Sequence, residues 1–215
     1  MREKIISEAD MTQDYQERTS TVVLEVVTAM LWRHDETELR IADVCRATGL
    51  SSSVIYNHFG SRQGLVDAAY LSLYRQASVQ MLSELRRDTE SIDDPAKFYD
   101  YLRGELDDAE RAHYWLGLRQ MRLRVATAAV ARESLRADFA AAQDSHLVDL
   151  AKFLAELRER GLVGSHLSPE QLARVFEAYV LSHTYNDIAL HPADAATWID
   201  TFWSLLNPHL AATTR

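Results

Sequence analysis

Apolar residues recur at helical intervals along most of the chain, and no stretch alternates strictly as a half-buried strand would. From Thr19 onward, Val22, Val23, Val26, Val27, Met30 and Leu31 fall on one face and predict a first helix. Packing is expected to override the valines' local preference for strands. Residues 1–18 are polar, lack a clear period and read as a flexible N-terminal extension. Ile41, Val44 and Cys45 then recur at i, i+3 and i+4, the stripe of a short amphipathic helix that should stop at Gly49, where glycine accepts the left-handed exit conformation. Ser51 is placed to cap the next helix, which Ile55 and Phe59 pin to a core through their four-residue spacing. Gly60-Ser61 separates it from a longer fourth helix running from about Arg62 through Leu65, Val66, Ala69, Leu73 and Ala77 toward Leu85.

Beyond that point the prolines punctuate the pattern. Proline is tolerated in a helix's first turn, where its missing N–H costs nothing, so Asp94-Pro95, Ser168-Pro169 and His191-Pro192 predict helix starts near 95, 169 and 192. A further helix is expected around Tyr114 to Val125, and a long one from about Thr127 to Arg160 that Gly161 and Gly164 close. The last pair should run from Pro169 to Leu190 and from Pro192 to about Leu206. The fold class is therefore all-α. Residues 19–66 form a compact head and 67–215 a larger helical body.

Composition bounds the function. A chain of 215 residues with 47% hydrophobic content can bury a core, and no apolar run is long enough to span a bilayer. The N-terminal residues lack the apolar centre of a signal peptide, which makes a cytoplasmic location the expectation, with no membrane partner. The single Cys45 lies on a core-facing stripe and reads as a small buried apolar residue. The net charge of −9 argues against indiscriminate nucleic-acid binding. Charge is nevertheless local: between Thr37 and Val66 the residues Arg40, Arg46 and Arg62 oppose only Glu38 and Asp43, so that segment carries +1 and the remainder −10.

Two short helices meeting across about three residues form the helix-turn-helix arrangement of DNA readers. The second helix leaves Ser52, Ser53, Tyr56, Asn57 and His58 largely on its outer face. Hydroxyls and amides there can bond base edges or phosphates, and Val54 can meet a thymine methyl. Asp43-Val44 and Gly49-Leu50-Ser51, followed by Ile55-Tyr56-Asn57-His58-Phe59-Gly60-Ser61-Arg62 and Leu65, resemble the N-terminal domain of the tetracycline-repressor (TetR) family of transcription regulators.

The resemblance covers about Val22 to Leu73 by motif and the rest by architecture only. It implies that Tyr56, His58 and Arg62 hold phosphates, while Ser51, Ser52, Ser53, Val54 and Asn57 face the bases. Arg40 stands where the family usually has a small hydroxyl residue, leaving the first motif helix without its usual cap and offering a further phosphate contact instead. The basic stretch that usually precedes the first helix is replaced by Glu17 to Ser20. The resemblance further implies a ligand cavity in the body, for which Tyr101, His113, Tyr114, Trp115, Met121, Tyr179 and His183 are the candidates. It also implies a homodimer built by the last two helices. Leu172, Val175, Phe176, Tyr179, Ile199, Phe202, Trp203 and Leu206 are accordingly assigned to the interface.

An enzyme would need convergent catalytic groups. Glu110 and His113 have the Glu-x-x-His spacing of di-iron bundles, but that site needs a second such element and two further carboxylates. No Gly-rich phosphate loop, Cys cluster or nucleophile elbow is present. No catalytic residue, metal ligand or cofactor is assigned. The expected partners are a double-stranded DNA operator, a second copy of the chain and an unidentified small-molecule effector. The expected function is a repressor released from a palindromic operator by that effector. An activator or a ligand-independent regulator on the same fold is the alternative, and a helical enzyme or adaptor a more remote one.

Overall fold

The computed structural model describes residues 8–107 and 109–208, and among them every regular element is helical. The order is α1 (Glu8–Arg33), a 3-10 turn (Glu36–Glu38), α2 (Ile41–Thr48), α3 (Ser52–Phe59), α4 (Arg62–Thr89), α5 (Pro95–Asp107), α6 (Ala109–Ala131), α7 (Glu133–Glu159), α8 (Pro169–Asp187) and α9 (Ala195–Leu206). Packing divides the chain into two units at Leu73–Tyr74, a boundary inside α4.

The first unit is built on a small apolar centre. Val23, Val27 and Leu31 of α1, Val44 of α2, Ile55 of α3, and Leu65 and Val66 of α4 are all essentially solvent-free. Helix α1 starts at Glu8, well before the expected Thr19, so residues 8–18 are helix and not a loose extension. Their glutamate, glutamine, methionine and arginine side chains favour helix without supplying a stripe, which is why periodicity misses them. Cys45 is half-buried, so the stripe of α2 is covered less completely than expected.

In the second unit several ends follow local chemistry. Asp94 Oδ1 accepts from the backbone N–H groups of Ala96 and Lys97 at 2.7 and 3.3 Å, and Pro95 opens α5. Ser168 and Gln171 form a reciprocal capping box at the start of α8, with Pro169 in its first turn. Helix α7 ends where Gly161 turns left-handed at φ 75° and the Leu162 N–H donates back to the Leu157 carbonyl at 2.9 Å. Leu162 is fully buried there.

Several boundaries in the second unit differ from the sequence reading, and α6 runs from Ala109 to Ala131 where Tyr114 to Val125 is expected. The stretch from Thr127 to Arg160 is broken at Arg132, which adopts an extended conformation. The guanidinium of Arg136 reaches back to the Ala129 and Val130 carbonyls at 3.4 and 2.8 Å, satisfying the orphan acceptors at the end of α6. Helix α8 stops at Asp187 and not Leu190. Helix α9 begins at Ala195, capped by Asp194, whose carboxylate accepts from the Thr197 N–H at 2.7 Å; Pro192 stands outside the helix.

Candidate functional site

Two places carry candidate chemistry, one in each unit. In the first, Gly49 takes φ 72° and sends its N–H back to the Cys45 carbonyl at 2.9 Å, closing α2. A side chain there would force the strained left-handed conformation. Ser51 caps α3 through its hydroxyl, which accepts from the Val54 N–H at 3.4 Å. With Ile55 buried as the anchor, Ser51, Ser52, Ser53, Tyr56 and Asn57 are exposed on the same short helix. Val54 and His58 are half-buried. The expected reading face thus stands clear of the core.

The cations around this face have different occupations. Arg46 is held by Asp43 at 2.8 Å. Arg40 is exposed and makes no capping bond to α2, as anticipated. Arg62, expected to hold a phosphate, is half-buried and employed inside the unit. Its Nε donates to the Leu39 carbonyl at 2.9 Å, and its Nη2 donates to the Glu36 carbonyl. It braces the Glu36–Glu38 turn against the start of α4, and only its remaining donors can face outward.

Gly64, which the sequence reading passed over, has a structural duty at the same corner. A Cβ on it would overlap the carbonyl oxygen of Phe59, the last residue of α3. Only glycine lets the end of the candidate reading helix seat this closely on α4. Nothing in its sequence neighbourhood marks it, because the close approach is made across a turn.

The second place is a cavity of about 140 Å³ lined by residues of α4 to α9. Phe98 and Leu102 of α5, Phe153 and Leu157 of α7, and Phe202 and Ile199 of α9 make much of its apolar wall. Of the ligand candidates, Trp115, Tyr179 and His183 lie on this wall. Met121 is buried away from it, Tyr101 and Tyr114 are half-buried elsewhere, and His113 is exposed. The leucines and Phe153 contributed by α7 were missed, since apolar positions on a helix read simply as core.

Most of the residues assigned to a dimer face are buried in the single chain, and Phe176 and Tyr179 are half-buried. Leu172, Ile199, Phe202, Trp203 and Leu206 are each under a tenth exposed in the single chain, and Val175 is half-buried. Phe176, Tyr179, Ile199, Phe202 and Leu206 line the cavity. Rings of Tyr179 and Phe202 stack with centroids 4.8 Å apart, and Phe176 meets Phe202 at 5.4 Å. Much of the apolar character of α8 and α9 thus serves the subunit's own interior, because two helices that wall a cavity need apolar residues over a broader arc than surface helices do.

Two of the wall residues, Arg119 and His183, belong to a polar cluster. Arg119 makes a two-pronged bridge to Asp187, Nε to Oδ2 at 3.0 Å and Nη2 to Oδ1 at 2.8 Å. His183 Nδ1 lies 3.3 Å from the same Asp187 oxygen. Burial, helped by the Arg119 charge, holds the His183 pKa below its ordinary value despite Asp187, so the ring is neutral at physiological pH. The Tyr179 hydroxyl donates to the Trp198 carbonyl, and burial drives its pKa upward. Among the described residues no His, Cys, Asp and Glu groups are arranged to hold a metal ion, and no helix is long and apolar enough to cross a membrane. The side chain of Glu110, the partner expected for His113 in a Glu-x-x-His pair, lies outside the described residues.

This arrangement has solved counterparts. A Rhodococcus sp. protein assigned to the TetR-family transcriptional regulators matches with a TM-score of 0.63 over 88% of this chain and 99% of its own, at 19% identity. One from Mesorhizobium loti with the same assignment gives 0.64 over 92% and 97%, at 16% identity. A TetR-family transcriptional regulator from Pectobacterium atrosepticum gives 0.57 over 92% and 94%, also at 16% identity. The chain has the TetR-family fold. At such identities the likeness speaks for the fold alone. In sequence, the HTH-type transcriptional regulator AlkX of Mycobacterium tuberculosis is 43% identical over 51 residues, a stretch that spans 24% of this chain and 24% of that protein. No family model matches the chain. The exposed polar helix α3 and the apolar cavity fall in different units.

Proposed function

We propose that the chain is a DNA-binding transcription regulator of the TetR family that occupies a palindromic operator as a homodimer and is released from it by a small molecule held in the cavity. The observation that carries this reading is the outer face of α3, where Ser51, Ser52, Ser53, Tyr56 and Asn57 stand exposed on a helix whose buried Ile55 fixes its rotation. Such a set offers hydroxyl and amide groups to base edges and phosphates without an interior role to explain it. Arg40 and His58 border it as candidate phosphate contacts. A lone helix-turn-helix covers only a half-site, which favours two copies about one DNA turn apart.

The cavity supports the second half of the reading. Its wall is drawn from α4 to α9, and α4 also supplies Leu65 and Val66 to the centre of the first unit, so one helix belongs to both places. An effector that weakens operator binding must itself bind the DNA-bound form less tightly, because the coupling is reciprocal.

The test is selection from random DNA by the purified full chain, with the mass of the selected complex determined. A palindrome bound by two copies is expected, and Tyr56→Ala with Asn57→Ala should abolish enrichment while leaving the helical circular dichroism intact. Undiminished enrichment by that double variant would remove α3 as the reading helix.

A further inference from the structure

Taking the cavity as the effector site, the balance of polar groups on its wall narrows what can occupy it. Arg119 and Glu105 are the charged residues that touch the space. Arg119 is buried, and two of its donors are committed to Asp187 in a bidentate bridge. Its charge is thereby balanced within the chain. Glu105 is an acid and gives an anionic guest nothing to bind. His183 is neutral, and the Tyr179 hydroxyl already donates to a backbone carbonyl.

Two wall residues have a buried polar atom without a hydrogen bond: His183, whose Nδ1 faces the Asp187 carboxylate 3.3 Å away, and Trp115. Trp115 Nε1 is buried and has no hydrogen-bond partner. An indole nitrogen only donates, and a buried donor without an acceptor carries an uncompensated desolvation cost that a guest can relieve. The remaining surface is almost wholly aliphatic and aromatic. The volume, about 140 Å³, is close to that of an apolar cavity known to hold benzene, roughly 150 Å³.

We propose that the effector is a small uncharged molecule, of the size of one ring with a short substituent, whose single hydrogen-bond acceptor meets Trp115 Nε1 while its apolar body fills the space between Phe98, Phe153 and Phe202. A carboxylate of the same shape is disfavoured, since it would have to leave water for a site whose cation is already paired.

Three probes of nearly one shape separate the terms: acetophenone has the acceptor, ethylbenzene lacks it, and benzoate carries a charge. Each is titrated calorimetrically into the full chain. Acetophenone is expected to bind, with benzoate at least about tenfold weaker because no unpaired cation offsets its desolvation. Trp115→Phe keeps a ring and removes the N–H; it should weaken acetophenone by roughly three- to tenfold and leave ethylbenzene unchanged. Ile199→Trp, which fills the space, should abolish both. Benzoate binding as tightly as acetophenone overturns the proposal, as does indifference of acetophenone to Trp115→Phe or to Ile199→Trp, or failure of all three probes to bind. The wild-type comparison and Trp115→Phe suffice if Ile199→Trp does not fold. Operator occupancy is followed separately in the same samples. Acetophenone binding that leaves the operator occupied would refute the ligand-released regulator while sustaining the chemistry assigned to the cavity.

Discussion

A buried ionic cluster ties four helices of the second unit together, and removing one charge from it gives a sharp test of what holds that unit. Arg122 of α6 is 4% exposed and Glu177 of α8 is 7% exposed. Arg122 Nη2 donates to Glu177 Oε2, and His146 Nε2 of α7 lies 2.9 Å from Glu177 Oε1. The guanidinium also sits 5.2 Å from the ring centroid of Tyr74 on α4, and its Nη2 donates to the Tyr74 hydroxyl at 3.4 Å. Glu177→Gln keeps the shape, so no cavity forms, but it strands the Arg122 charge in the interior. Breaking a buried pair in this way costs about 3–5 kcal/mol. With roughly 2–4 °C per kcal/mol for a chain of this length, the melting temperature should fall by about 6–20 °C.

Arg122→Met should cost a similar amount, because it leaves the Glu177 carboxylate with His146 alone. The double variant removes both charges and should be less damaging than the sum of the singles, with a coupling of about 2–4 kcal/mol in denaturant unfolding. Burial pushes the Glu177 carboxyl up, yet the His146 hydrogen bond and the Arg122 charge together outweigh it and hold the group below its ordinary value. A depressed carboxyl contributes stability that is fully present above its unfolded pKa and is lost as pH falls through the folded one. The stability gap between wild type and Glu177→Gln should therefore be constant near neutrality and shrink only in the acid range, below the usual carboxylate pKa. Additive single variants, or a gap that widens on acidification, would refute this account.

Other substitutions test the first unit. Gly64→Ala must push the Phe59 carbonyl away, and overpacking of this kind costs about 1–3 kcal/mol; the melting temperature and operator affinity should fall together, and an unchanged melt would show that α3 does not need its close seat on α4. Arg62→Lys keeps the charge but loses the fork that spans the Leu39 and Glu36 carbonyls. It should destabilise the DNA-free protein by about 1 kcal/mol and leave operator affinity per folded molecule nearly unchanged; full stability with weakened operator binding would return Arg62 to the role of phosphate contact.

Much of the first unit could be read directly from the chain, because its decisive signals are local. Gly49 and Ser51 specify an exit turn and a cap within three residues, and Ile55 fixes which face of α3 is buried. Asp94-Pro95 and Ser168-Pro169 with Gln171 are equally self-contained, and both were read correctly as helix starts. His191-Pro192 has the same appearance but is followed by Asp194, whose carboxylate captures the Thr197 N–H and moves the start of α9 downstream. The break at Arg132 has no glycine or proline to announce it. It depends on Arg136 reaching two carbonyls of the preceding helix, an interaction between residues that each look ordinary in a helical run.

Periodicity tells which positions avoid water, but it is silent about what covers them. The stripes of α8 and α9 satisfied the requirements of a dimer face in breadth and in apolar character, and the same two properties are what a cavity wall demands. Which helices reach those side chains depends on residues far away in the sequence: the rings of Phe98 and Trp203 lie 6.1 Å apart between centroids, and Leu150, Phe153 and Leu154 of α7 line the same space as Phe176 and Phe202. Trp115, Tyr179 and His183, named as candidates on the family resemblance, line the cavity, whereas Tyr101, Tyr114 and His113 have the same mixed apolar and polar character and do not. Phe153 has no such mixed character, and its part in the cavity could emerge only from the fold. The polar atoms that decide ligand class were hidden for a related reason: Arg119 looks like an available cation until Asp187, on another helix, is seen to hold it.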